Sequence, residues 1–200
     1  MAKATAKKRW FQLIAPKIFN DNVIGDIPSF EAKTLIGKSI KINLAILTND
    51  MRKQSTEVRL IISNVEGDKA KTELIGLTVV PTSIKRFVRK GKTRLDQTVK
   101  AITNDEKVVT LKILIVARNI IQGSVKASIQ KEIKRFIIKK ISVLNYGELS
   151  ESIVFNKLVR ELKEKLCKIY PLKICDVREF KLERSLKAMD LRRIKSDIIK

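Results

Sequence analysis

The sequence predicts an α+β protein. Its first half reads as a β-meander or partly closed β-barrel core, and its second half as helices with a late strand packed beside that core. Three observations predict this. Apolar and polar residues alternate with period two through much of residues 38–116. After Gly123 the apolar spacing lengthens to that of a helix. Past Pro171, "LKICDVREFKL" (172–182) returns to alternation. With 200 residues and 44% hydrophobic content, wholesale disorder is excluded. A chain of this length buries about 70% of its unfolded surface.

Residues 1–9 are small and basic and read as a flexible arm. Residues 10–185 are expected to form one α+β domain, with a β-rich lobe at 10–120 and a helix-rich lobe at 121–185; a basic tail is expected at 186–200. In the first lobe, Ile40, Ile42, Leu44 and Ile46 alternate with Ser39, Lys41 and Asn43 as a half-buried strand. Val58, Leu60 and Ile62 alternate with Glu57, Arg59 and Ile61. "VEGD" (65–68) turns the chain into a run containing Leu74, Ile75 and Leu77. One helix follows, opened by Pro81, Thr82 and Ser83 and stopped at Gly91, with Ile84, Phe87 and Val88 on one face. "VKAITNDEKVVTLKILIV" (99–116) supplies two more strands around an Asn104-Asp105 turn. Five or more such strands suggest a barrel, closed or partly so.

In the second lobe, Val125, Ile129, Ile133, Ile137 and Ile141 recur at i+4 spacing, the mark of a helix over 124–141. A further helix is expected over about 153–169, with Leu158, Leu162, Leu166 and Ile169 aligned and Pro171 ending it. The alternation of the late strand slips near Cys175, so it carries a bulge or is shorter. "DLRRIKSDIIK" (190–200) reads as a short amphipathic helix or a loose tail.

Charge narrows the function. The 43 Lys and Arg outnumber the 21 Asp and Glu, for a net +22. Such an excess repels itself in the folded chain, so a polyanion is the natural partner: nucleic acid first, an anionic membrane second. No apolar run approaches the ~18 residues of a membrane span. The apolar segment near the start is interrupted at Pro16 and has no small-residue cleavage site, unlike a secretory signal, so a cytoplasmic address is expected.

Histidine is absent. That removes Ser-His-Asp and Cys-His catalysis and a Cys2His2 zinc site. Cys167 and Cys175, the only cysteines, read as reduced and largely buried thiols. No Walker loop, dinucleotide fingerprint or nucleophile elbow occurs. No catalytic residue, metal or cofactor is expected. Asp21, Asp26, Glu66, Asp68, Asp105 and Glu106 lie in turn-rich stretches, where aspartate is favoured for backbone reasons. A metal-dependent nuclease would need several of them to converge, and spacing alone does not exclude that.

Binding candidates are cationic. No acidic residue lies between Glu73 and Asp96, and that gap holds Lys85, Arg86, Arg89, Lys90, Lys92 and Arg94. Guanidinium groups fork onto phosphate oxygens, and ammonium groups act as point charges. The helix over 124–141 adds Lys131, Lys134 and Arg135, with Lys139 and Lys140 at its end, where they also suit the helix dipole. Lys7, Lys8 and Arg9 precede Trp10. The indole either stacks on a base or, the favoured reading, packs against the body and aims the arm outward. Arg192, Arg193 and Lys195 are a weaker cluster in the tail.

Three motifs carry a resemblance. "RWFQLIAPKIFN" (9–20) resembles the Lys-x-Trp-Tyr/Phe and Ala-Pro-x-x-Phe opening of an archaeal and eukaryotic small-subunit ribosomal protein family, called S-three-a-e or e-S-one. "SIKRFVRK" (83–90) is similar to its central Ser-Leu-Val-Arg-Arg helix, and "KIYPLK" (168–173) to its Lys-x-Tyr-Pro-Leu signature. The matches occur in family order across nearly the whole chain, and the compact archaeal type is the closer likeness. Two stretches depart: Leu77-Thr78-Val79-Val80 stands where the family often has Leu-Thr-Arg-Asp, and Asp105-Glu106 replaces an Asp-Gly turn. The resemblance implies a structural, non-enzymatic component of the small ribosomal subunit, on its platform. It implies contact with small-subunit ribosomal RNA near its 3′ end and with neighbouring ribosomal proteins, and messenger RNA nearby. A free nucleic-acid chaperone and an RNA-processing enzyme are the rival readings of the same charge.

Overall fold

In the run that opens the described chain, Phe11 and Leu13 are buried while Trp10 and Gln12 face outward. That alternation is strand geometry, and the run is β1 (Arg9–Ile14). The computed structural model describes residues 8–183. Lys7 and the basic tail, with Arg192, Arg193 and Lys195, lie outside them. The chain divides after Leu77 into two compact units. The change to helical periodicity near residue 120 lies inside the second unit.

In the first unit, β1 pairs antiparallel with β2 (Val23–Ser29), Phe11 opposite Ile27. Further along come β3 (Ser39–Asn43), α1 (Leu44–Thr48), a 3-10 turn (Met51–Lys53), β4 (Thr56–Glu66) and β5 (Lys69–Val79). The other edge of β1 runs parallel to the start of β5, with Leu13 opposite Ala70. There the Thr72 hydroxyl donates to the Ile14 carbonyl at 2.7 Å. β4 pairs with β5 and, on its other side, antiparallel with β3. The order β2-β1-β5-β4-β3 leaves β2 and β3 as separate edges, so this sheet does not close into a barrel. Nor is it a plain meander, because β1 is inserted beside a strand that is remote in sequence. Phe11, Leu13, Leu35, Ile62 and Ala70 form its core, with Ile24, Ile27, Ile40 and Val65 packed against it.

The strand expected over Ile40–Ile46 ends early. Asn43 accepts a hydrogen bond from the Ala45 N–H at 2.9 Å and caps α1. Leu44, Ala45 and Leu47 then turn inward and Ile46 outward. An asparagine that bonds the backbone locally offers it an alternative to the ladder.

In the second unit, α2 (Pro81–Phe87) precedes β6 (Arg94–Ile102) and β7 (Val108–Ala117). β6 and β7 pair antiparallel from Arg94 opposite Val116 to Ile102 opposite Val108. The last strand, β8 (Leu172–Glu183), covers the other edge of β7. Paired on both edges and buried along nearly its whole length, β7 is apolar nearly throughout. α3 (Gly123–Val143) buries Ile129, Ile133, Phe136, Ile137 and Ile141 and packs on β6.

The single helix expected over 153–169 is two: α4 (Tyr146–Val154) and α5 (Lys157–Cys167). Asn145 and Glu148 form a capping box that starts α4. Asn156, in the left-handed region at φ +57°, separates the pair. Ile169 lies beyond α5 and is exposed.

Candidate nucleic-acid interface

α2 spans 7 residues, of which Ser83 and Ile84 are buried. Ile84 is buried in a cluster with Val79, Leu114 and Val116, against which Val88 and Ile174 pack. Pro81 suits the first turn. The helix ends at Phe87, and Val88 is already extended, so the stop comes before Gly91. Lys85 and Arg86 therefore project from the helix, whereas Arg89, Lys90 and Lys92 belong to the turn that follows. Gly91 sits in that turn at φ +81°, which an L side chain rarely adopts. Lys85, Arg86, Arg89 and Lys90 are exposed, and Lys92 is half-buried. Among the described residues, none of these five forms an ion pair with a carboxylate.

Arg94 differs. It begins β6 and forms a close ion pair with Asp96, whose carboxylate also meets Arg178 at 3.5 Å. Its charge is thus partly answered within the fold. On α3, Lys131, Lys134 and Arg135 lie on the exposed side away from the isoleucine row, and Arg135 is 3.7 Å from Glu132. Lys140 is drawn to the body by Glu161 at 2.6 Å.

At the other end of the chain, the Lys8 ammonium lies over the Phe30 ring, 5.4 Å from its centroid, and Arg9 is exposed at the start of β1. Trp10 does not pack as expected: it is 65% exposed. Phe11 takes the inward position, and period-two geometry then sends its neighbour out. Trp10 lines a groove of about 520 Å³ with Gln12, Asp26, Glu66, Asp68 and Lys69. Glu66 there is paired with Lys71 at 2.7 Å. Among the described residues, no group of three or more carboxylates and cysteines is arranged to hold a metal ion. Asp105 has a structural task, accepting from the Tyr146 N–H at 2.9 Å.

Lys173 is a cation that sequence reasoning missed. Val116 lies opposite Ile174 and Ala117 opposite Leu172, so Lys173 is the extra residue of a β-bulge. Its ammonium stands beside that of Lys92. That contact, the Lys92 charge, burial and then Arg89 hold it below its usual value. The slipping alternation near Cys175 was the available signal. A second bulge, at Arg178, aims that guanidinium at Asp96.

Both cysteines are free. Cys167 is exposed, against expectation, because it ends α5 on the outer side. Cys175 is buried, and its thiol is pushed up to about 12, chiefly by burial and then by Asp176. It is protonated at neutral pH and not nucleophilic. Among the described residues, no helix is long and apolar enough to cross a membrane.

An open-edged mixed α+β fold, exposed cations and no assembled carboxylate centre among the described residues define a class: a strongly basic protein whose main chemical resource is its cationic surface. Comparison with known proteins is narrower. The model of the Ribosomal S3Ae family matches residues 2–185, and the chain belongs to that family. It is 28% identical over 175 residues to the small ribosomal subunit protein eS1 of Saccharolobus islandicus, covering 88% of this chain and 84% of that one. To the eS1 protein of Methanobrevibacter smithii it is 28% identical over 186 residues, covering 88% and 96%. To that of Nanoarchaeum equitans it is 26% identical over 177 residues, covering 88% and 89%.

Proposed function

We propose that the protein is a structural, non-enzymatic constituent of the small ribosomal subunit in the cytoplasm, seated on its platform. There it holds small-subunit ribosomal RNA near the 3′ end, beside neighbouring ribosomal proteins and close to messenger RNA. One observation carries this reading beyond family membership. Lys85, Arg86, Arg89, Lys90 and Lys92 are grouped on one short helix and its turn, with no carboxylate paired to them among the described residues. A net charge of +22 favours a folded polyanion as partner.

The mechanism is multipoint phosphate neutralisation by a preformed surface. Each neutralised phosphate releases counterions and adds to the salt dependence of binding. Folded RNA is then recognised mainly by shape and backbone, since its deep groove hides base edges. Sedimentation of a cell lysate, with this chain located by mass, tests the reading. The chain is expected to travel with small subunits at moderate salt. Release into the light fractions would instead favour a free nucleic-acid chaperone, and divalent-metal-dependent RNA cleavage by the purified chain an RNA-processing enzyme.

A further inference from the structure

The bulge at Lys173 puts a cation where strand alternation alone would not. β6, β7 and β8 lie side by side, with Arg94 opposite Val116 and Val116 opposite Ile174. Beyond that row the Thr93 carbonyl accepts from the Ala117 N–H at 2.9 Å, and the Thr93 hydroxyl from the Ile121 N–H at 2.9 Å. The Arg118 N–H donates to the Pro171 carbonyl at 3.4 Å. These bonds gather the turn after α2, the turn after β7 and the start of β8 at one end of the sheet. Lys92, just before Thr93, meets Lys173 there, with Arg89 close by.

Two ammonium groups side by side repel each other while both are charged. An anion seated between them relieves that repulsion. No carboxylate of the described residues forms an ion pair with Arg89, Lys92 or Lys173. Such an anion is not supplied by the described residues. Its donors are three cations on two separate segments, which suits a tetrahedral oxyanion approached from more than one side.

We infer that Lys92 and Lys173, assisted by Arg89, form a clamp for a single backbone phosphate of RNA. The clamp rests on the ribosomal RNA-binding reading above and names a site within it. Gly91 lets the turn fold back toward β8, and the bulge re-aims Lys173 to meet it.

Two measurements on the full chain test it. In the first, the side-chain resonances of Lys173 are followed by NMR during titration with inorganic phosphate, against chloride at equal ionic strength. Saturable perturbation centred on Lys92 and Lys173 is expected. A shift spread evenly over the surface lysines is only a counterion atmosphere and overturns the site. In the second, ribosomal RNA affinity is compared for wild type, Lys92→Gln, Lys173→Gln and the double variant, with Lys41→Gln as a charge control. Each single change is expected to cost about tenfold, and the double change less than the product, because both groups grip one phosphate. Multiplicative losses, or losses no larger than that of the control, overturn the clamp. If wild type itself fails to bind the RNA, the broader functional reading falls, and with it the RNA phosphate as occupant; the phosphate titration still decides whether the cation cluster binds an anion.

Discussion

The Tyr146 ring, at the first turn of α4, stacks on Phe180 of β8 with centroids 5.8 Å apart and planes 22° from parallel. Lys107, just before β7, lays its ammonium over the same tyrosine ring, 5.1 Å from the centroid. Helix start, last strand and hairpin turn thus meet at one aromatic contact. Phe180 is 1% exposed. Phe180→Ala is expected to destabilise the chain by about 3–5 kcal/mol, the range for deleting a buried aromatic. Urea denaturation checks this; a loss below about 1 kcal/mol would mean the stack does not hold the helices to the sheet.

The Asp105 carboxylate joins the same junction from the turn between β6 and β7, accepting from the Tyr146 N–H. Its neighbour Asn104 donates from its backbone to the Leu144 carbonyl at 3.2 Å and from its side chain to Asn145 at 3.1 Å. Asp105 serves as a helix cap supplied from a distant turn. Asp105→Ala should cost about 0.5–2 kcal/mol, as for helix caps generally, and leave RNA affinity unchanged. Weaker RNA binding in a variant of wild-type stability would assign this carboxylate another role.

Replacing Lys85, Arg86, Arg89 and Lys90 together by Gln should weaken binding to ribosomal RNA and flatten its salt dependence. The slope of log K against log salt should fall by about 0.7–0.9 for each phosphate that is no longer neutralised. Stability should change little, because these side chains are exposed and hold no ion pair with a carboxylate among the described residues. A titration with unchanged affinity and slope would remove α2 and its turn from the interface.

Asp176 is half-buried beside Cys175, and this partial burial raises its carboxyl above the ordinary 3.8; a hydrogen bond from the Val177 N–H at 2.8 Å opposes this in part. The folded chain therefore binds a proton that the unfolded chain lacks between 3.8 and the raised value. Its contribution favours folding as pH falls through that window and is a full liability at neutral pH. Asp176→Asn, which can still accept from Val177, should raise the urea midpoint near pH 7. That advantage should shrink toward zero near pH ~4. An equal difference at both pH values would show that the carboxyl is not perturbed.

Much of this architecture is legible in the residues. Ile129, Ile133, Ile137 and Ile141 are each fully buried, as their spacing dictates. β4 through β7 occupy the stretches where alternation and turn residues put strands. Failures occur where a local hydrogen bond competes with a pattern. Asn43 caps α1 and converts the second half of an apparent strand into a helix. "NYGE" (145–148) holds a capping box, but the glycine beside the helix start obscures it. Trp10 is exposed because strand geometry had already given Phe11 the inward place. The cationic surface is half-legible. The acid-free gap is visible as a string, yet Arg94 is answered by Asp96 and Lys92 is turned toward Lys173.

By itself the sequence determined composition-level chemistry and periodicity: a large positive charge, no imidazole, and alternating or helical apolar spacing. These depend on side-chain identity and on neighbours a few residues away. Only the tertiary structure decided which edges pair, that β1 lies parallel to β5, and which cations stand together at a bulge. Pairing partners remote along the chain are chosen by burial and hydrogen bonding of whole strands, and a bulge redirects a side chain only once its partner strand is in place.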